Sequence, residues 1–212
     1  MTFSGLDPAR IAKNLECVRE RIVAAGADPE KVEICAAVKY VAAEELPALA
    51  EGGIRLVGEN RAQELAVKQA AHGDLFEWDF IGALQSRKVK DVAPNVRLIH
   101  SLASESALAK LEASPAREVL VQVNVAGEED KAGIPPGEIG AFIARCPSPV
   151  TGLMTMPPLA ERPEDSRRWF AALAELAAEH GLERLSMGTT QDFEVAVAEE
   201  ATIVRLGTVL FA

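Results

Sequence analysis

Cysteine is scarce and scattered. The chain has three, Cys17, Cys35 and Cys146, and no C-x-x-C pair. An odd number at wide spacing argues against a disulfide framework or a cysteine zinc site and fits a reducing compartment. Histidine is equally rare, with only His72, His100 and His180. None is spaced to share a metal with a second His or Cys, so no metal site is expected. Positive charge is short as well: 22 Lys and Arg stand against 32 Asp and Glu, a net charge of −10. Nucleic-acid binders need a basic footprint to displace counterions, and none is visible. The small cationic groups Arg87, Lys88, Lys90 and Arg167, Arg168 read as solvated helix faces. No apolar run approaches the roughly 20 residues that span a bilayer. Met1 to Arg10 lacks the charged-then-apolar pattern of a signal peptide. Neither nucleic acid nor membrane is expected as a partner, and a cytoplasmic location is expected.

What is present is an alternation. The 212 residues, 49% hydrophobic and 25% charged, suffice for one well-buried core and are short for two ordinary domains. Asp7-Pro8 signals a helix start, and Ile11, Leu15, Val18 and Ile22 recur at helical spacing until Gly26. Eight apolar runs of strand length follow: Val32 to Val38, Ile54 to Val57, Trp78 to Ile81, Val96 to His100, Glu118 to Val125, Val150 to Met154, Arg184 to Met187 and Thr202 to Leu206. Helix-type stretches separate them: Ala43 to Glu51, Arg61 to His72, Ser86 to Val92, Glu105 to Ala113, Pro136 to Arg145, Pro163 to His180 and Phe193 to Glu199. His72 and His180, each before a glycine, read as helix C-terminal residues. Strict alternation implies a parallel sheet with right-handed crossovers. Eight units predict a closed (β/α)8 TIM-type barrel of class α/β, preceded by an N-terminal helix, with residues 1–212 as one domain. A doubly wound open sheet is the rival, but it would carry a glycine-rich turn after the first strand, where this chain has Ala-Val-Lys-Tyr. The few residues after the last strand leave no room for an eighth outer helix, so the N-terminal helix is expected to cover that part.

Barrels of this type place their chemistry at the C-terminal ends of the strands. Lys39 ends the first, after Ile34-Cys35-Ala36-Ala37-Val38. An amine at an apolar barrel mouth is expected to be desolvated, which favours the neutral form that attacks an aldehyde to make a Schiff base. The alternative is a lysine that snorkels to solvent. After strand seven, Ser186-Met187-Gly188-Thr189-Thr190-Gln191-Asp192 supplies glycine and hydroxyls ahead of a helix; after strand eight come Gly207 and Thr208. Such loops hold phosphate in many barrels. Thr189, Thr190 and Asp192 also suit plain helix capping. Arg205, charged within an apolar strand, needs an acceptor, either a carboxylate such as Glu59 or an atom of a bound cofactor.

An ordered set of segments carries a family resemblance. It comprises Ala37-Val38-Lys39, Gly58-Glu59-Asn60 with Gln63-Glu64, the run from Trp78 to Ser86 with Lys88, and Val121 to Asn124 with Gly127-Glu128-Glu129 and Lys131-Ala132-Gly133. It continues with Gly152 to Met156, Leu185 to Gly188 with Asp192 and Glu194, and Thr202 with Val204 to Thr208. Together they resemble the pyridoxal phosphate homeostasis protein family, single-barrel relatives of the alanine racemase N-terminal domain. The resemblance implies pyridoxal 5'-phosphate (PLP) as cofactor, held as an aldimine on Lys39. It implies Asn60 near the cofactor ring, Ser186, Met187, Gly188, Thr190, Gly207 and Thr208 at the phosphate and lower ring, and Arg205 at the pyridine nitrogen. Departures are Asp79 where a histidine is common, Arg61 where an aromatic is common, Thr190 where a serine is common, and Ala212 where glycine is common.

The resemblance favours a PLP carrier, with PLP-dependent apo-enzymes as partners and a monomeric state, over a PLP-dependent racemase. An arginine at the pyridine nitrogen leaves that nitrogen unprotonated and weakens the ring as an electron sink. A racemase also needs an acid or base on the opposite face of the substrate carbon, which alanine racemases draw from a second domain. A cofactor-free Schiff-base aldolase using Lys39 on a sugar phosphate is a third reading. No catalytic residue is expected.

Overall fold

Asp7 accepts the Ala9 N–H at 3.0 Å and Pro8 fills the first turn, which launches α1 (Pro8–Ala24). The computed structural model describes residues 3–129 and 131–212. Ile11, Leu15, Val18 and Ile22 are the buried stripe of α1, and Gly26, at φ +96°, follows its end. Strands and helices then alternate. They are β1 (Glu33–Ala37), α2 (Leu46–Glu51), β2 (Leu56–Glu59), α3 (Ala62–His72), β3 (Glu77–Phe80), α4 (Val89–Val92), β4 (Leu98–Leu102) and α5 (Glu105–Leu111). The second half has β5 (Val119–Gln122), α6 (Ile139–Ala144), β6 (Val150–Met154), α7 (Arg167–Glu179), β7 (Arg184–Thr189), α8 (Phe193–Ala198), β8 (Ile203–Leu206) and α9 (Thr208–Phe211). The eight strands pair in parallel in chain order, and β1 pairs with β8 to close the barrel.

Side chains of successive strand residues point to opposite faces, and the core divides accordingly. Cys35, Leu56, Leu98, Leu120, Met154 and Ile203 form a small cluster inside the barrel. Their chain neighbours Ala36, Val57, Ile99, Val121, Leu153 and Val204 belong to the larger layer between barrel and helices. Each fully buried Leu or Ile contributes about 1.5–3 kcal/mol relative to exposure.

Three expectations need correction. First, a short outer helix does follow β8: α9 makes one turn, and α1 packs on it. Asn14 Nδ2 donates to the carbonyls of Leu210 and Ala212, at 3.1 and 3.2 Å. Second, β4 lies two residues later than expected, so His100 is central in its strand and fully buried rather than at the mouth. Third, β2 runs on through Gly58 and Glu59. The expected strand stops at Val57; a Cβ at Gly58 would lie 2.7 Å from Cys35 Sγ, so the crowded interior requires glycine there.

Candidate functional site

The ends of β1, β2, β7 and β8 surround a cleft of about 550 Å³. It brings together Lys39, Asn60, Thr190, Arg205, Gly207 and Thr208 from the expected set. Phe3, Tyr40, Ile81, Met156 and Gln191 complete much of the wall; Ile81, Met156 and Gln191 lie in segments the sequence marks, but none of the five is singled out there as a site residue. A larger hollow of about 720 Å³ lies around Trp78, Asn95 and Arg117. It sits at the N-terminal ends of the strands, the face that serves stability rather than chemistry in this fold.

Lys39 follows β1 by two residues and is half-buried. Its Nζ lies 5.0 Å from the centre of the exposed Tyr40 ring. The amine is therefore more open to water than a desolvated lysine deep in an apolar mouth. What fixes its backbone is a buried ion pair. Lys68 of α3 extends Nζ to Glu59 Oε2 at 2.6 Å and to the Val38 carbonyl at 2.7 Å. The other Glu59 oxygen accepts the Asn60 and Arg61 N–H groups at 2.8 and 3.3 Å. Arg61 itself reaches the Lys39 carbonyl at 3.3 Å. Glu59 is thus engaged by Lys68, and the expected alternative of an Arg205–Glu59 bridge is not formed. Asn60 Oδ1 is shielded from solvent and has no partner among the described residues. A buried acceptor left open at a cleft wall suits a ligand donor.

The loop after β7 divides its work. Asp192 does not cap α8 with its side chain; it reaches back to the Thr189 N–H at 2.8 Å and the Thr189 hydroxyl at 3.1 Å. Its other oxygen accepts the Ser166 hydroxyl at 3.0 Å. Thr190 Oγ1 accepts the Gly207 N–H at 3.3 Å, which ties the two loops into one cup. Gly188, at φ +88°, is outside the lining; a Cβ there would lie 2.6 Å from Ala196 Cβ, so this glycine lets α8 pack against β7. Met187 is fully buried in the outer layer, and the Ser186 side chain lies inside the barrel beneath the cleft.

Arg205 is 6% exposed and forms the cleft floor. Nη1 donates to Ser186 Oγ at 2.5 Å, and Nη2 donates to the Thr155 carbonyl at 3.0 Å and to Met156 Sδ at 2.9 Å. Burial pushes the guanidinium down to about 10, which still leaves it charged at neutral pH. Beneath it, Ser186 Oγ lies 2.7 Å from His100 Nδ1, and His100 Nε2 lies 3.0 Å from Asp79 Oδ2. Arg97 grips Asp79 with two bonds of 3.0 and 2.8 Å. Asp79 is thus an interior residue and does not line the cleft.

Burial pushes the His100 ring below its usual 6.5, with Asp79 opposing only in part. Burial would raise the Asp79 carboxyl, but hydrogen bonds from His100 and Arg97 outweigh it and hold it below its usual 3.8. In both cases the unfolded chain takes up the proton first, so stability is present above the unfolded value and lost on acidification. Unfolding free energy is expected to fall as pH drops below about 6.5, and again below about 3.8. Denaturant titrations across pH check this: His100→Gln should flatten the first step, and an unchanged slope there would contradict the assignment.

Among the described residues no group of three His, Cys, Asp or Glu is placed to hold a metal ion, and no helix is long and apolar enough to cross a membrane. The model of the alanine racemase N-terminal domain matches residues 6–212. The chain is 40% identical over 218 residues to the pyridoxal phosphate homeostasis protein of Aquifex aeolicus, covering 95% of this chain and 96% of that one. Among solved structures it is similar to PipY of Synechococcus elongatus without PLP, with a TM-score of 0.83, 30% identity, and coverage of 95% of this chain and 100% of that one. The PLP-bound form of PipY gives a TM-score of 0.80 at the same 30% identity and the same coverage, 95% and 100%. The chain belongs to the pyridoxal phosphate homeostasis protein family, built on the alanine racemase N-terminal barrel.

Proposed function

We propose that this chain binds pyridoxal 5'-phosphate in the cleft at the strand ends and serves intracellular PLP homeostasis as a carrier. The observation that carries the proposal is the convergence of an amine, an open acceptor, a hydroxyl-lined cup and a buried guanidinium in one cleft of about 550 Å³. When bound, the cofactor supplies an aldehyde to an amine and a pyridine ring that can take up electrons. Lys39 is the amine that would hold it covalently. Thr190, Gly207 and Thr208 would receive its phosphate, with Ser186, Met187 and Gly188 shaping the floor and wall behind them. Asn60 Oδ1 would accept a hydrogen bond from a ring substituent. Arg205 has donors only, so it would offer the ring nitrogen a hydrogen bond and no base.

Among the described residues, the titratable side chains on the lining are Lys39, Tyr40 and Arg205. Tyr40 lies beside the amine rather than across from it. That supports holding over racemisation, since proton transfer on both faces needs two opposed groups. Residues 1–212 act as a single binding domain in this reading, as a monomer in the cytoplasm, with PLP-dependent apo-enzymes as recipients. The cysteines, free at Cys17, Cys35 and Cys146, suit such a compartment.

Protein mixed with PLP and freed of excess is expected to be yellow, to lose its colour on borohydride treatment, and to carry the added mass on Lys39. A colourless protein, or an adduct on another lysine, would overturn the proposal. Rapid exchange of the α-proton of L-alanine in deuterated water would favour the racemase instead.

A further inference from the structure

The polar groups under the cleft have a direction that their chemistry dictates. A guanidinium carries donors and no acceptor. Arg205 Nη1 therefore donates to Ser186 Oγ, at 2.5 Å. The single Ser186 hydroxyl hydrogen is then free for one partner, and His100 Nδ1 lies 2.7 Å away. Asp79, the acceptor of both Arg97 bonds, has no proton to give, so Nε2 of the neutral ring donates to Asp79 Oδ2 at 3.0 Å and Nδ1 accepts the Ser186 hydroxyl. Asp79 in turn accepts both Arg97 bonds, at 2.8 and 3.0 Å. Asp79, His100 and Ser186 are all completely buried. The order acid, imidazole, hydroxyl is that of a hydrolase triad, but Arg205 covers the serine and no substrate reaches it. Beyond Asp79, Arg97 and Glu33 approach to 2.5 Å and Glu33 and Arg184 to 2.6 Å as ion pairs, towards the opposite mouth of the barrel.

We infer that Ser186, His100 and Asp79 are positioning residues that hold the Arg205 guanidinium, through one fixed sequence of hydrogen bonds, against the floor of the cleft. The alternative is a set of interior polar groups that merely satisfy one another. Two features favour positioning. The relay ends on a residue that lines the cleft. And each hydrogen bond from Arg97 to Arg205 has one direction, so the guanidinium is held in place. The inference rests on the reading that PLP occupies the cleft with its ring nitrogen at Arg205.

The experiment has two arms. In the first, the cofactor-free protein labelled with nitrogen-15 at histidine is examined by NMR near neutral pH. His100 is expected as the neutral Nε2–H tautomer; an Nδ1–H tautomer or an imidazolium would overturn the relay, whatever the cleft binds. In the second, Ser186→Ala is titrated with PLP beside the unaltered protein. Roughly 10-fold weaker binding is expected, from loss of one hydrogen bond to a charged group. A displaced visible absorption band, with borohydride still fixing the cofactor on Lys39, is expected as well. A variant with the unaltered protein's band and affinity would overturn positioning while leaving PLP binding intact. Should the unaltered protein fail to colour, PLP binding itself falls and the NMR arm alone judges the relay.

Discussion

Lys68→Met is expected to lower the unfolding free energy by about 3–5 kcal/mol, because it leaves a buried carboxylate without its counter-charge. The Lys68 side chain is 3% exposed and that of Glu59 is 0% exposed. Methionine keeps nearly the whole apolar stem of Lys68, so lost packing is the smaller part. The larger loss is the 2.6 Å counter-charge contact to a carboxylate that is 0% exposed. Stability curves in urea, read at equal slope, measure the effect. Pairing the change with Glu59→Gln removes the charge while keeping an acceptor for the Asn60 N–H, and should restore more than half of the loss. A single variant within about 1 kcal/mol of the parent protein would show that the pair is far less enclosed than its geometry indicates. The same pair holds the Val38 carbonyl at 2.7 Å and the Asn60 N–H at 2.8 Å, so weakened cofactor binding should accompany the loss.

The second large effect is expected from a single methyl group. A Cβ at Gly82 would lie 2.1 Å from the Asn60 carbonyl oxygen and 2.6 Å from its Cα. Those are backbone atoms, so no side chain can swing aside. Ser101 Oγ also bonds the Gly82 carbonyl, which pins the segment from the other side. Gly82→Ala is expected to cost more than about 3 kcal/mol and to displace Asn60 from the cleft wall. Gly137→Ala is the control, since a Cβ there meets nothing within 4 Å; it should change stability by no more than about 0.5 kcal/mol. Equal denaturation midpoints for the two variants would rule out the steric account.

The barrel was legible because its evidence is local. Apolar runs of strand length, capping at Asp7 and glycines such as Gly26 each declare themselves within a few residues. The cleft was legible where a rule links position to chemistry, at Lys39, Asn60, Thr190, Arg205, Gly207 and Thr208. It was less legible where one residue type serves two ends. Gly188 reads as a phosphate-binding glycine, yet its conformation and the Ala196 contact give it a packing role. Ser186 reads as a cup hydroxyl, yet inward alternation along β7 puts it beneath Arg205. Lys68 has the look of a solvated helix face, and nothing within α3 announces that Glu59 waits across the β2 turn. Asp79 and His100 were equally hidden. Their partnership exists only after β3, β4 and β7 have been brought round the barrel, and no spacing within one strand encodes that.

The pairing of β1 with β8 sets Cys35 opposite Arg205. Lys39 lies just beyond one of these strands, and Gly207 and Thr208 just beyond the other. The amine and half of its cup therefore come from opposite ends of the fold and meet only along this seam. Contacts between such distant segments carry the largest loop-closure cost in the fold. A nascent or partly folded barrel has the lysine without the floor and cup that would retain a ligand. In the proposed binding mode, capture of the cofactor would therefore report that the last strand has docked, and a bound cofactor would hold that seam shut by mass action.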